Sequence, residues 1–94
     1  KEANIYFDGK VISRTITFAD ASIKTLGVML PGEYEFNTEK KELMEIYTGE
    51  LAVLLNDNGE WKKIEGGMSF SVPAKSKFNI KIYKITNYCC SYFE

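Results

Sequence analysis

No histidine occurs anywhere in the 94 residues. That absence removes both the usual neutral-pH base and the commonest metal-binding side chain. Cysteine is sparse, and its two copies, Cys89 and Cys90, are adjacent. Neighbouring residues do not easily reach the separation and dihedral of a disulfide, so two reduced thiols are expected, one pointing into the core and one away. A nucleophilic thiol would want an activating imidazole, which is missing. Charge of one sign is lacking too. Twelve basic against 13 acidic side chains leave a net charge of −1, too weak a field to gather phosphate backbones, and no nucleic-acid partner is expected. No apolar run approaches the ~20 residues of a membrane span, which sets membranes aside as partners. Lys1-Glu2-Ala3-Asn4 does not lead into a signal-peptide core. Paired reduced thiols with no leader imply a cytoplasmic protein. A chain that opens on Lys1 is also expected to begin slightly inside the natural one.

What the sequence has is alternation. Aromatic residues make up 14% and hydrophobic residues 45% of the chain, which excludes a disordered polymer. The dominant period is two. Lys10 to Phe18 places Ile12, Ile16 and Phe18 on one mostly apolar face that Arg14 interrupts. Ile23 to Leu30, Glu33 to Thr38, Glu42 to Thr48 and Leu51 to Asn56 read as further strands, with Gly49-Glu50 as a hairpin signal between the last two. Asp57-Asn58-Gly59 signals a turn before Trp61 to Ile64. Met68, Phe70 and Val72 share a face, then Phe78, Ile80 and Ile82, then Tyr88, Cys90 and Tyr92. Thr38 to Glu42 is too short for more than a helical turn. Short strands at this spacing predict an all-β sandwich or barrel, of jelly-roll or OB type. The scattering of basic among acidic residues counts against the OB alternative. Residues 1–94 read as one domain. A chain of this length buries only ~60–65% of its unfolded surface, so a homodimer sharing a hydrophobic face is expected.

Two spacings carry a resemblance. Leu30-Pro31-Gly32, then Glu42, then Gly49, resembles the first cupin motif, and Gly67 with Pro73 resembles the second. The histidine positions of those motifs fall near Phe36 and Thr38 and on Phe78. The opening Asn4-Ile5-Tyr6-Phe7-Asp8-Gly9-Lys10-Val11 is similar to the start of the pyrimidine/purine nucleoside phosphorylase family of small cupins. So are Gly27-Val28-Met29, Gly32-Glu33-Tyr34-Glu35-Phe36 and the run from Gly49 to Leu55. Gly67, Phe70, Val72-Pro73, Ser76 and Phe78 continue the likeness, and Tyr88, Cys90 and Tyr92 finish it. Lys75 and Arg14 depart from the pattern. The resemblance implies an RmlC-like cupin jelly-roll barrel. It also implies metal-independent phosphorolysis of nucleosides to the free base and ribose 1-phosphate. Inorganic phosphate is then a co-substrate, and no cofactor is expected.

Such chemistry has three requirements: groups that hold phosphate, a carboxylate beside the sugar, and flat side chains around the base. Glu42 and Tyr34 are the candidate catalytic residues. Glu42 could grip ribose hydroxyls or serve as an acid, or it could be a solvent-facing or salt-bridged strand residue. Phe36, Thr38, Phe70, Ser76, Lys77, Phe78, Tyr88 and Tyr92 are the candidate substrate-binding residues. For most of the aromatic ones the competing reading is plain core. Lys75-Ser76-Lys77 offers cations and a hydroxyl for phosphate. Arg14 is expected at a barrel mouth with its stem buried. Trp61 is expected to cover a sheet face or a dimer contact. No metal site is expected, because nitrogen ligands are wanting. The competing function is a non-catalytic cupin that binds a small metabolite.

Overall fold

Two long strands organise the chain in the computed structural model, which describes residues 3–55 and 59–93, with the side chains of 3–6 and 8 left aside. In order, the elements are β1 (Ala3–Tyr6), a 3₁₀ turn (Phe7–Gly9), β2 (Val11–Thr17), β3 (Ile23–Met29), β4 (Gly32–Asn37), β5 (Lys41–Leu55), β6 (Lys62–Glu65), β7 (Ser69–Val72) and β8 (Lys77–Phe93). All pairings are antiparallel, and the sheet is not closed into a ring. β5 and β8 pair along most of their lengths and bend together, so each belongs to two arms. One arm runs β1-β2-β3-β8-β5-β7, using the C-terminal half of β8 and the N-terminal half of β5. The other runs β4-β8-β5-β6 on the remaining halves. No helix of the described residues is long and apolar enough to cross a membrane.

The alternation expected from the sequence becomes a core between the arms. Ile80, Val53 and Leu51 are fully buried from one arm, and Ile46, Val11 and Met29 from the other. Burying each side chain of this size stabilises the fold by roughly 1.5–3 kcal/mol. The aromatic residues interlock at one end of this core. Phe36 stacks on Phe78 with ring centroids 5.4 Å apart, Phe70 meets Phe78 edge-on at 6.2 Å, and Phe7 closes over Tyr34 at 4.9 Å.

Several expectations are corrected. Gly49-Glu50 makes no hairpin: β5 passes straight through it, shifting register between Ile46 and Leu51. Gly49 adopts φ +125°, and a Cβ there would lie 2.7 Å from the Cα of Thr86 on β8. Glycine is required because two backbones approach closely at the bend, rather than because the chain reverses. The runs ending at Ile82 and starting at Tyr88 are likewise one strand. Met68 lies in the turn before β7, where its N–H donates to the Glu65 carbonyl at 3.0 Å, and it is exposed. The inward face of β2 is the one carrying Val11 and Ser13, while Ile12 and Arg14 face outward. Arg14 sits in register with Leu26 on that outer face, not at an opening of the interior. The turn expected at Asp57-Asn58 lies outside the described residues, as does Asn56. Trp61 is partly exposed with the Lys81 ammonium 4.3 Å above its ring, so it covers the outer face of the β4-containing arm.

Candidate functional site

The inward faces of β3, β5 and β8 meet in a chamber of about 220 Å³. Its apolar end is formed by Val11, Met29, Met44 and the stacked Phe36–Phe78 pair, and its polar side by Ser13, Thr25, Asn37, Glu42, Cys90 and Tyr92, with Tyr88 alongside. Strand pairing explains how residues so far apart in sequence converge. Glu42 lies opposite Tyr92, Met44 opposite Cys90, and Cys90 opposite Thr25. Directly opposed and diagonal neighbours on one sheet face are within reach of each other. Accordingly the Cys90 Sγ donates to Glu42 Oε1 at 3.4 Å, and the Thr25 and Tyr92 hydroxyls share a hydrogen bond of 3.2 Å. Gly27 gives Tyr88 its place: a Cβ there would stand 2.6 Å from the Tyr88 phenol oxygen.

Burial sets the electrostatics. It raises the carboxyl of Glu42 above its ordinary range, and the thiol hydrogen bond pulls it partly back. Burial, followed by the neighbouring carboxylate, pushes the Cys90 thiol up to about 12. The Tyr92 phenol is raised too, burial again being the main cause. The polar wall thus holds one carboxylate beside groups that keep their protons at neutral pH.

The chamber opens through Thr25, Asn37, Glu42 and Tyr92 into a mouth of about 740 Å³. The β2–β3 loop with Asp20 and Ser22, and the bend with Glu39 and Lys40, form its rim. No lysine or arginine lines the inner chamber among the described residues, whereas Lys40 reaches the mouth.

The residues singled out in the sequence separate into two groups. Glu42, Phe36, Phe78, Tyr88 and Tyr92 come together around the chamber. Tyr34 does not join them: its hydroxyl donates to the Leu30 carbonyl at 2.6 Å, tying β4 to the Pro31-Gly32 turn. Thr38 is buried and donates to the Pro73 carbonyl at 2.7 Å while accepting from the Ser76 N–H at 3.0 Å. The Ser76 hydroxyl also donates to Pro73, and Lys77 pairs with Glu35 at 3.2 Å. These residues brace the 73–76 turn outside the chamber. Phe70 packs behind Phe78 in the core. Ser13, Thr25 and Asn37 line the chamber although no motif marked them, and Cys90, placed on the Tyr88–Tyr92 face by the sequence, joins them without having been given a site role. The inward phase of their strands was the signal that could have found Ser13 and Thr25.

Cupins commonly carry a metal ion, and the residues here do not fit one. The donor set is a single carboxylate with a thiol held protonated, and Phe36, Phe78 and a committed Thr38 occupy the remaining positions. Among the described residues no three carboxylate or cysteine side chains converge.

An antiparallel double-arm sheet around such a chamber defines a small cupin lacking histidine ligands. Solved structures agree. An RmlC-like cupin from Shewanella frigidimarina superposes with a TM-score of 0.77 at 16% identity, over 97% of this chain and 81% of that one. A protein of unknown function from Acinetobacter superposes at 0.95 with 40% identity, covering 99% and 90%. The family model for pyrimidine/purine nucleoside phosphorylase matches residues 1–92, and the chain belongs to that family. Relatives bearing that name are 64% identical in Chlorobium chlorochromatii, over 98% of this chain and 88% of the relative, and 55% identical in Leptospira interrogans, over 100% and 89%.

Proposed function

We propose that this chain phosphorolyses purine and pyrimidine nucleosides to free base and ribose 1-phosphate without a metal ion. The observation that carries the reading is one half-buried carboxylate, Glu42, on the wall between an aromatic-lined chamber and an open mouth. The inner chamber is below the ~300 Å³ of an ordinary small-molecule site, so a nucleoside with phosphate must extend into the mouth. The base enters against Phe36 and Phe78, the ribose lies beside Glu42, Asn37 and Tyr92, and phosphate approaches from the Lys40 side.

In the reaction the bond from C1′ to the base nitrogen breaks and its electron pair leaves with the base. An oxygen of hydrogen phosphate forms the new bond to C1′, and the phosphate proton ends on the base. Positive charge builds on the ribose ring in between. An ionised Glu42 stabilises that charge and accepts hydrogen bonds from ribose hydroxyls. The apolar end of the chamber, with Phe36 and Phe78, offers flat surface rather than a fixed hydrogen-bond pattern and suits both base classes, because stacking is tolerant of base identity.

The test is base release from inosine, uridine and adenosine with and without phosphate. Release that requires phosphate, with equimolar ribose 1-phosphate, supports the reading. Equal release in phosphate-free buffer would make the protein a hydrolase. Saturable nucleoside binding without turnover would favour a metabolite-binding cupin.

A further inference from the structure

We propose that Cys90 is a positioning residue for Glu42, its thiol donating to the carboxylate that faces the sugar; this rests on the nucleoside reading for its catalytic consequence but not for its geometry. Glu42 has its ends in different surroundings. One oxygen, Oε1, accepts from the Cys90 Sγ at 3.4 Å, and the side chain borders both chamber and mouth. Cys90 is itself 3% exposed and flanked on the same strand face by Tyr88 and Tyr92. Its Sγ also reaches the Ser91 carbonyl at 4.0 Å and meets the Tyr92 hydroxyl, so the 3.4 Å contact to Glu42 is the shorter of its two acceptor contacts. Tyr92 is in turn engaged by Thr25 at 3.2 Å. Thr25, Tyr92, Cys90 and Glu42 therefore form a cross-strand row linking β3, β8 and β5.

A half-buried carboxylate needs donors or it takes up a proton. The titratable and charged groups facing Glu42 are Cys90, Tyr92 and Tyr88 from β8, Asp20 from the β2–β3 loop, and Glu39 and Lys40 from the bend before β5. β7, its other neighbour, contributes none. Among these the thiol is the group whose hydrogen bond favours the charged carboxylate. A serine hydroxyl could do the same with a stronger, shorter bond. Sulfur, being larger, also fills the apolar side of the site toward Met44. Because the thiol stays protonated, it acts by orienting Glu42 and keeping it ionised, without attacking substrate.

The experiment compares Cys89→Ser alone with the same variant carrying Cys90→Ser or Cys90→Ala. Glu42 is followed by carboxyl-carbon NMR and turnover by the pH dependence of kcat/KM. Cys90→Ala is expected to move the Glu42 titration and the acid limb of the rate profile together to higher pH. It should also lower kcat/KM at neutral pH roughly tenfold. Cys90→Ser is expected to restore the limb and most of the rate. In the Cys90-containing protein, the S–H stretch should shift as Glu42 titrates, a readout that survives if Cys90→Ala does not fold. An unchanged Glu42 titration in Cys90→Ala, or an S–H stretch indifferent to Glu42, would overturn the proposal. If no nucleoside is turned over but the NMR and infrared shifts occur, the coupling stands and the phosphorylase reading fails.

Discussion

Glu42 concentrates a conflict between stability and chemistry. Burial holds its folded pKa above the ordinary 4.5, so the folded chain binds this proton more tightly than the unfolded chain does. Ionised Glu42 therefore costs stability above its folded pKa, and the cost disappears as pH falls below the unfolded value. Glu42→Gln removes the titration while keeping the shape. It is expected to melt at the same temperature as wild type or higher at pH 7, with the difference shrinking in acid. Its kcat/KM is expected to fall by about a hundredfold or more, because the interaction lost is one strengthened in the transition state. Thermal melts at pH 4 and 7 alongside steady-state kinetics check both halves. A variant equally active and equally stable would leave Glu42 a bystander on the wall.

At the level of elements, alternation made the strands legible because each arm has an inner and an outer face. The spacing from Pro31-Gly32 through Glu42 to Gly49 located the carboxylate. Two features escaped. Gly49-Glu50 looks like a turn in sequence, since a backbone contact and a reversal both call for glycine. The direction of β2 was misleading because Ile12 and Ile16 are as apolar as a core face, yet the buried side is Val11 and Ser13. The polar wall was harder still: Thr25 and Tyr92 touch across 67 residues of sequence, a relation fixed by register and not by any local motif. The bend offers its own test. Gly49→Ala combines a left-handed backbone with a Cβ 2.7 Å from the Thr86 Cα. It is expected to cost about 1–3 kcal/mol. By thermal melting, that is roughly 4–8 °C for each kcal/mol in a domain of this size. A neutral Gly49→Ala would mean that β8 gives way at no cost.

For the molecule as a whole, the outer face of the β1-containing arm carries exposed apolar side chains beside Arg14. Ile12 and Leu26 are 42% and 41% exposed, and Tyr47, at 56%, stands over the buried Cys89. The homodimer expected from chain length would cover this face with its own copy. Sedimentation equilibrium is expected to show a dimer for wild type and a monomer for Leu26→Glu. A wild-type monomer at micromolar concentration would remove the expectation, and an unaltered dimer in the variant would move the contact elsewhere.

Because β5 and β8 each run through both arms, opening either arm completely would strip pairing from strands the other arm also uses. The chain therefore lacks a separable foldon boundary. Amide protons of β4 and of β3, in different arms, are expected to exchange through the same global opening. Their exchange free energies should then be equal and fall in parallel as urea is added. Two distinct exchange plateaus, one for each arm, would show that the shared strands can fray at their bend.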